Sequence, residues 1–567
     1  MTSFKVTNAY SKDDSRVLAL IAALVTLSGI LTLGSLLFSL LGFKHVHIER
    51  ADAQATLLAG LSLIYLATLL NRGKRNAWLV SLPIYLFLVL RNARHYFVDF
   101  PHSMHGHSLA VLNLLIPAAT LILLITSRSL FTVRSELRSF TTALSRSVII
   151  LIVAFVYGVV GFSVMDEHDF HQEISPPTAA HYTVDQFNLT TNQQVVAYSK
   201  RAVIFVDSLA VVSVAALFYV SLAFFSPIRF RLGSHEKDKE DMRRLMKNHA
   251  STSEDFFKLW PPDKAYFFNR DRSAGLAYKA THGVALIVGD PLGSTGETKG
   301  LINEFMSLCR LNDWRPALIH TEQTNIKLYT KLGFEIQKIG EEAIISTNKF
   351  VEQVATTKDF RHINNKFSKL GYSTSLLEPP HSPELLQQLR IISDDWLGGP
   401  GRAERGFMMG YFSTDYMQQC KIMVVKDDHH QVRGFINQVP SPTPAEANFD
   451  FLRHSKSSPG NINDFLMLNF IISLHQQGIP KLNMGLSPLV GLEENHDNAS
   501  NRLNSFLNFA YANGNRFYSF QGLKRFKTKY QPEWESRYIV YRGGVRGFTK
   551  TINALIFAMR IRSARKP

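Results

Sequence analysis

A multi-pass α-helical membrane domain followed by an α+β half is the fold class that this sequence of 567 residues predicts. The observations behind it are six apolar runs near the N-terminus, and then short strand-like runs alternating with helical periodicity. A formal net charge of +16 and a pI near 9.6 add a preference for anionic partners, nucleic acid or acidic lipid. The near-zero mean hydropathy averages two unlike halves.

Residues 17–42 form an uninterrupted apolar run of 26 residues, and about 20 suffice to cross a bilayer. The string ADAQA from Ala51 has the look of a cleavage site, but so long a run fits a retained anchor better. Further runs cover 53–70, 77–90, 108–126, 147–165 and 202–225. The third is the weakest, being short and carrying Pro83, which a spanning helix tolerates when neighbours satisfy the freed carbonyl. Lys and Arg in the connections divide ten against six in favour of a cytoplasmic N-terminus. Six spans then return the chain to the cytosol. His95, His102, His105 and His107 lack helical ligand spacing and read as an interfacial loop. No charge sits at the middle of a span, which weakens a transporter reading. Cys309 and Cys420 are far apart and indicate neither a disulfide framework nor a zinc site.

The charged stretch 233–248 reads as a solvated helix or tether. Strand-like runs follow at 265–268, 275–280 and 284–288, then a helix over 300–311 and a strand at 317–320. A helix over 324–332 ends at Gly333, a C-cap position, before paired strands around Ile336 and at 343–346. A second block repeats this order, with strands at 422–425, 432–438 and 448–453, a helix over 463–477 and a strand at 481–484. A helix over 501–512 and a strand around 538–541 close it. The chain thus divides into a six-span domain (1–230), a charged linker (231–250), two α+β domains (251–356 and 357–545) and a basic amphipathic C-terminal helix (546–567).

No G-x-S-x-G elbow, P-loop, H-E-x-x-H or C-x-x-C occurs, which leaves direct transfer between two bound substrates. Asp450 and Arg453, in FDFLRH, reach one pocket only if the strand ends or turns after Asp450; a surface ion pair is the alternative. Asp464 opens a helix and suits its dipole. Gly485 and Ser487 fall on a turn after a strand. Asp394, Asp395 and Trp396 offer charge and a ring face to an ammonium group, or simply a helix end with a packed tryptophan. Over 520–534, Lys524, Arg525, Lys527 and Lys529 interleave with Phe520, Phe526, Tyr530 and Trp534, a pattern suited to polyanions, with a basic surface strand or loop as the plainer reading. Phe548, Ile552, Leu555, Ile556 and Met559 share one helical face, for an anionic leaflet or for domain packing.

NIKLYTKLGFE from Asn325 resembles the closing element of N-acetyltransferase-like folds. In register, YFFNRDRSAGLAYKATHGVALIVGDPLG, GFEIQKIGEEA, KDFRHINNKFSKLGY, SDDWL, FDFLRH, NMGLSPL and FQGLKRFKTKYQPEWESRY make the second half similar to the synthase domain of the MprF family, the aminoacyl-phosphatidylglycerol synthases. The resemblance implies tandem acetyltransferase-like (GNAT-like) folds, the second bearing the active site. It implies transfer of an amino acid, lysine first, from aminoacyl-tRNA to phosphatidylglycerol in the bacterial inner membrane. Such a product lowers the membrane's negative charge and its sensitivity to cationic antimicrobial peptides. By motif, Asp450, Arg453 and Lys527 take the catalytic positions. Asp394, Asp395, Trp396, Asp464, Gly485, Ser487, Lys524, Arg525 and Lys529 take substrate-binding ones. No cofactor or metal is expected; the partners are aminoacyl-tRNA, phosphatidylglycerol and the anionic membrane, with room for a homo-oligomer. The family's D-L-M-R-Y is D-F-L-R-H here and its G-x-M-D reads GNIND, changes that bear on the amino acid accepted. Only six spans precede the synthase-like half, so the lipid flipping of longer members is not expected. An inactive or lipid-translocating protein with a synthase-like binding domain, or a same-fold transferase with another acyl donor, remains the alternative.

Overall fold

The structure is a computed structural model that describes residues 12–40, 50–94, 107–133, 137–165, 167–170, 174–188, 197–224, 236–398, 403–488 and 520–561. The chain forms two compact units, Met1–Arg229 with Arg310–Asp313, and Phe230–Cys309 with Trp314–Pro567. The expected helix over 501–512 and the histidines at 95, 102 and 105 lie outside the described residues.

The first unit is built from apolar helices, Lys12–Leu40, Arg50–Leu70, Arg75–Arg94, His107–Thr126, Leu137–Val164 and Lys200–Phe224. Among the described residues three stretches, Asp14–Gly34, Arg75–Arg94 and Ser145–Val164, are long and apolar enough to cross a membrane, and Ala59–Leu70 and Leu114–Thr126 are shorter apolar segments. The weakest run in the sequence is therefore one of the three, because its helix continues beyond both ends of the run with Pro83 inside it. Small residues bring the first two helices together: a Cβ at Gly29 would stand 2.9 Å from the Gly60 carbonyl oxygen. Ile149, Val153, Val156 and Val160 are exposed along one helix, as a lipid-facing surface requires.

The second unit contains two sheets. Its strands are β1 (Ala265–Phe268), β2 (Gly275–Thr281), β3 (Val284–Val288), β4 (Arg315–Glu322), β5 (Glu335–Ser346), β6 (Ser373–Leu377), β7 (Lys421–Lys426), β8 (Val432–Gln438), β9 (Glu446–Asn448), β10 (Leu452–His454), β11 (Lys481–Pro488) and β12 (Glu533–Tyr541). The larger sheet has eight strands in the order β1-β2-β3-β4-β12-β5-β11-β9, and the smaller has four in the order β10-β8-β7-β6. Within the larger, β3 pairs parallel with β4 and β11 parallel with β9. The remaining pairings are antiparallel, which gives an α+β architecture of acetyltransferase-like type.

Two expectations need correction. The paired strands around Ile336 and 343–346 are one continuous strand, β5. The strand expected to close the second block, β12, instead inserts between β4 and β5, in the middle of the sheet that begins with the first block. Its residues from Arg537 to Tyr541 are buried on both faces, as a central strand demands. The two folds share a core accordingly: Val284, Leu286, Ile319 and Ile539 of the larger sheet pack in one cluster with Ile422, Val424 and Phe435 of the smaller.

Helices complete the unit. Thr295–Leu311 covers the other face of β2, β3 and β4 through Leu301, Phe305 and Cys309. Lys358–Lys369 and Ile462–Gln476 pack together through Phe367 and Phe465, whose rings stack at 4.7 Å. The charged helix Glu236–His249 is not a free tether: it buries Met242, Leu245 and Met246 against Leu292, Tyr266 and Phe268. Gly544–Met559 also spends its apolar face on packing. Phe548, Ala554 and Ala558 are buried in the shared core, Ile552, Leu555 and Met559 lie against it, and Ile556 alone of the predicted face is exposed.

Candidate active site

Between β9 and β10 the chain turns at Asp450, the geometry that its reach toward Arg453 requires. One side chain fixes the turn: the Asn437 carboxamide oxygen accepts the backbone N–H of Asp450 at 3.1 Å and of Phe451 at 2.8 Å. Tyr416, itself fully buried, donates its hydroxyl to the Asp450 carboxylate. Behind it, Trp260 stacks on the Tyr416 ring at 5.2 Å. Gly410 closes the pocket, since any Cβ there would overlap Asp450 and the Tyr416 ring. Burial raises the Asp450 carboxyl to about 6, although the Tyr416 hydroxyl, the Gly410 N–H and the nearby Arg453 charge all favour ionisation.

Arg453 is buried on β10. It donates to Glu404 at 2.8 Å and to the Ser393 hydroxyl. Its guanidinium lies 4.1 Å from the Phe451 ring centre and 5.0 Å from that of Trp396. Trp396 is thus a platform for a protein cation. Asp395 accepts from the Lys456 backbone N–H at 2.8 Å and pairs with its ammonium at 3.2 Å, while Asp394 is exposed.

The basic segment is neither a strand nor a loop at its start: Phe520–Thr528 is a helix that leads through a turn into β12. Helical geometry separates its cations. Lys524 and Arg525 are exposed, whereas Lys527 is buried and donates to the Gly485 and Leu486 carbonyls at 2.7 and 3.1 Å. Burial lowers the Lys527 ammonium to about 8, with Glu342 and Glu254 opposing the shift. Lys529 reaches Asp464 at 3.0 Å, and the buried Tyr530 hydroxyl donates to the same carboxylate at 2.8 Å. Asp464 therefore ties the basic segment to the first turn of Ile462–Gln476 and is not merely a charge at a helix end. Gly485 sits at a bulge in β11 with φ +77, and Ser487 is buried within the strand rather than on a turn.

A second constellation had no motif to announce it. Imidazole His320 lies between two carboxylates, with Nδ1 2.9 Å from Glu254 Oε2 and Nε2 2.9 Å from Glu342 Oε1. Arg537 pairs with Glu342 Oε2 at 2.6 Å. The Glu254, His320 and Glu342 ligand atoms lie within 4.8 Å of one another. They line, with Gly289, Asp290 and Tyr329, a cavity of about 220 Å³. Burial alone would lower the His320 imidazolium, but the two carboxylates outweigh it and raise it to about 10. Burial and the Glu342 charge push the Glu254 carboxyl up to about 7.

Eight of the twelve residues named from the sequence therefore fall into two groups. Asp450, Arg453, Asp395 and Trp396 gather around β10, and Asp464, Gly485, Lys527 and Lys529 around β11 and the helix before β12. Lys527 bonds to neither Asp450 nor Arg453. Tyr416, Asn437, Glu404, Glu254, His320 and Glu342 were missed, because no local spacing marks residues that only tertiary folding brings together.

The family described as phosphatidylglycerol lysyltransferase, C-terminal, matches residues 243–541. The chain is similar to the phosphatidylglycerol lysyltransferase of Bacillus subtilis (strain 168), 30% identical over 49% of this chain and 32% of that protein. It is also similar to that of Staphylococcus aureus (strain MRSA252), 28% identical over 64% of this chain and 41% of that one. The chain thus spans well under half the length of these curated relatives. Among solved structures, L-PGS from Bacillus licheniformis is 29% identical with a TM-score of 0.50, covering 57% of this chain and 98% of that one.

Proposed function

This chain belongs to the phosphatidylglycerol lysyltransferase C-terminal family, and from that premise we propose that it moves an amino acid from aminoacyl-tRNA onto phosphatidylglycerol. Lysine is the amino acid that the relatives' names favour. The observation that carries the reading is Asp450, a half-buried carboxyl that accepts the Tyr416 hydroxyl at the turn leading to Arg453, in a matched family segment.

An aminoacyl ester is already activated, so exchange needs no nucleotide. A lipid glycerol hydroxyl attacks the ester carbonyl, and its proton leaves. The tetrahedral intermediate then collapses, breaking the bond to the terminal ribose oxygen of the tRNA, which takes up a proton. In this scheme Asp450 accepts the hydroxyl proton or holds the α-ammonium, with Tyr416 fixing its orientation. Arg453, oriented by Glu404 and Ser393, faces lipid phosphate or the oxyanion. Lys527 supplies a second buried cation from the β11 side, and exposed Lys524 and Arg525 are left to attract the tRNA. Six spans in the bacterial inner membrane, with the catalytic unit in the cytosol, complete the proposal, and the cationic product would reduce sensitivity to cationic peptides.

Thin-layer analysis of lipids from a bacterial host expressing the full chain tests this. A new ninhydrin-positive phospholipid is expected, absent from a host expressing Asp450→Ala. An unchanged lipid profile with the protein present in the membrane would favour the inactive binding-domain alternative.

A further inference from the structure

The cluster at Glu254, His320 and Glu342 has no part in the scheme above, yet the sheet is bent to make it. His320 stands in the middle of β4 with φ +72, in the left-handed region that a histidine seldom occupies within a strand. It is the extra residue of a bulge, since Ile539 pairs with Ile319 and Tyr538 with Thr321. Bulges re-aim side chains, and this one turns the imidazole toward the two carboxylates. We propose that Glu254, His320 and Glu342 bind a divalent metal ion of the zinc class, with an open coordination position facing the cavity.

Glu342 is the most telling ligand. It is wholly buried, and its two oxygens are treated differently. Oε2 is held by Arg537 at 2.6 Å and by the Asn483 carboxamide at 3.2 Å. Oε1 makes no hydrogen bond, although His320 Nε2 lies only 2.9 Å away. The ring N–H is misdirected, so Oε1 is held by imidazolium charge alone, and a metal ion that displaces the ring proton would give this buried oxygen a directed partner. A cation among the three groups would satisfy it.

The donor set fits that cation. One imidazole nitrogen and two carboxylate oxygens suit zinc, which binds each at about 2.0–2.2 Å and retains a fourth position for water or substrate where three protein ligands are supplied. Ligands at those bond lengths stand about 3.3–3.5 Å apart in a tetrahedron, so the His320 and Glu342 atoms at 2.9 Å need to open slightly within a set that already lies inside 4.8 Å. The ligands come from three elements, the short helix Ser253–Lys258, β4 and β5. Arg537 and Asn483 orient Glu342 as outer-shell partners do. The neighbouring cations are already engaged: Arg537 also pairs with Glu535 at 2.9 Å, and Lys527 is turned to backbone carbonyls.

The test uses the full chain in detergent, stripped with a chelator and reloaded with ZnCl2 or MnCl2 alone, with metal content measured after desalting. About one bound ion per chain is expected, falling at least about tenfold in Glu254→Gln and in His320→Ala. Zinc should also raise the thermal midpoint of the unaltered protein but not that of Glu254→Gln, a substitution at the cavity rim that preserves size and whose fold circular dichroism verifies. Metal content far below one per chain in the unaltered protein, or equal in the folded Glu254→Gln variant, would overturn the proposal.

Discussion

At Asp450 and Lys527 burial sets two charges in opposite directions, and both should be visible in rate. The Asp450 carboxyl, raised to about 6, loses its charge as pH falls through that value. The Lys527 ammonium, lowered to about 8, loses its charge as pH rises through that value. Transfer should therefore follow a bell with limbs near these two values, measured as kcat/KM against pH. Tyr416→Phe removes a donor to the carboxylate and should move the acid limb upward by about 1 unit, without abolishing activity. A stability measurement checks the same group independently of rate. Because the folded value of Asp450 lies above its unfolded one, the folded state binds more protons between about 4 and 6 and gains stability as pH falls through that window. Asp450→Asn should remove that gain, so any stability advantage it shows at neutral pH should shrink toward pH 4. The sequence proposed Asp450 by its motif and stated the turn it would need, and the chain does turn there. It could not expose Tyr416 or Asn437, which lie 34 and 13 residues away and meet the site only through the fold.

Among the elements, the strands and helices with clear periodicity were legible, and the errors concern which partner an element chose. The strand expected around 538–541 is present as β12, but no pattern in its residues states that β4 and β5 will flank it. The helix Gly544–Met559 shows an apolar face that suits a leaflet as well as a core, and its small residues Ala554 and Ala558 settle the matter only once they are seen packed. The basic segment misled for a related reason: mixed cations and aromatics carry little periodicity, so a helix that buries Lys527 and exposes Lys524 was not distinguishable from a loop. The β11 bulge offers a direct test of how that lysine is held. Gly485→Ala meets no neighbouring atom, so its cost is purely conformational. At φ +77 it should destabilise the unit by about 1–2 kcal/mol in urea unfolding and lower transfer by misplacing the carbonyls that receive Lys527.

For the whole chain, composition set the correct frame for the fold: apolar helices first, then an α+β unit. Its net charge of +16 implies that association with tRNA should weaken steeply with salt. The Kd for charged tRNA should rise at least about tenfold between 50 and 200 mM NaCl, and a flat response would argue against the exposed lysines and arginines as its docking surface. The central claim, that an amino acid passes from tRNA to lipid through the Asp450 site, is tested most directly with purified full-length protein, vesicles containing phosphatidylglycerol and tRNA charged with labelled lysine. The label should enter the lipid fraction, disappear when the tRNA is first digested with ribonuclease, and fall at least about 100-fold with Asp450→Ala. Label entering lipid equally after ribonuclease treatment, or at the unaltered rate in Asp450→Ala, would contradict it.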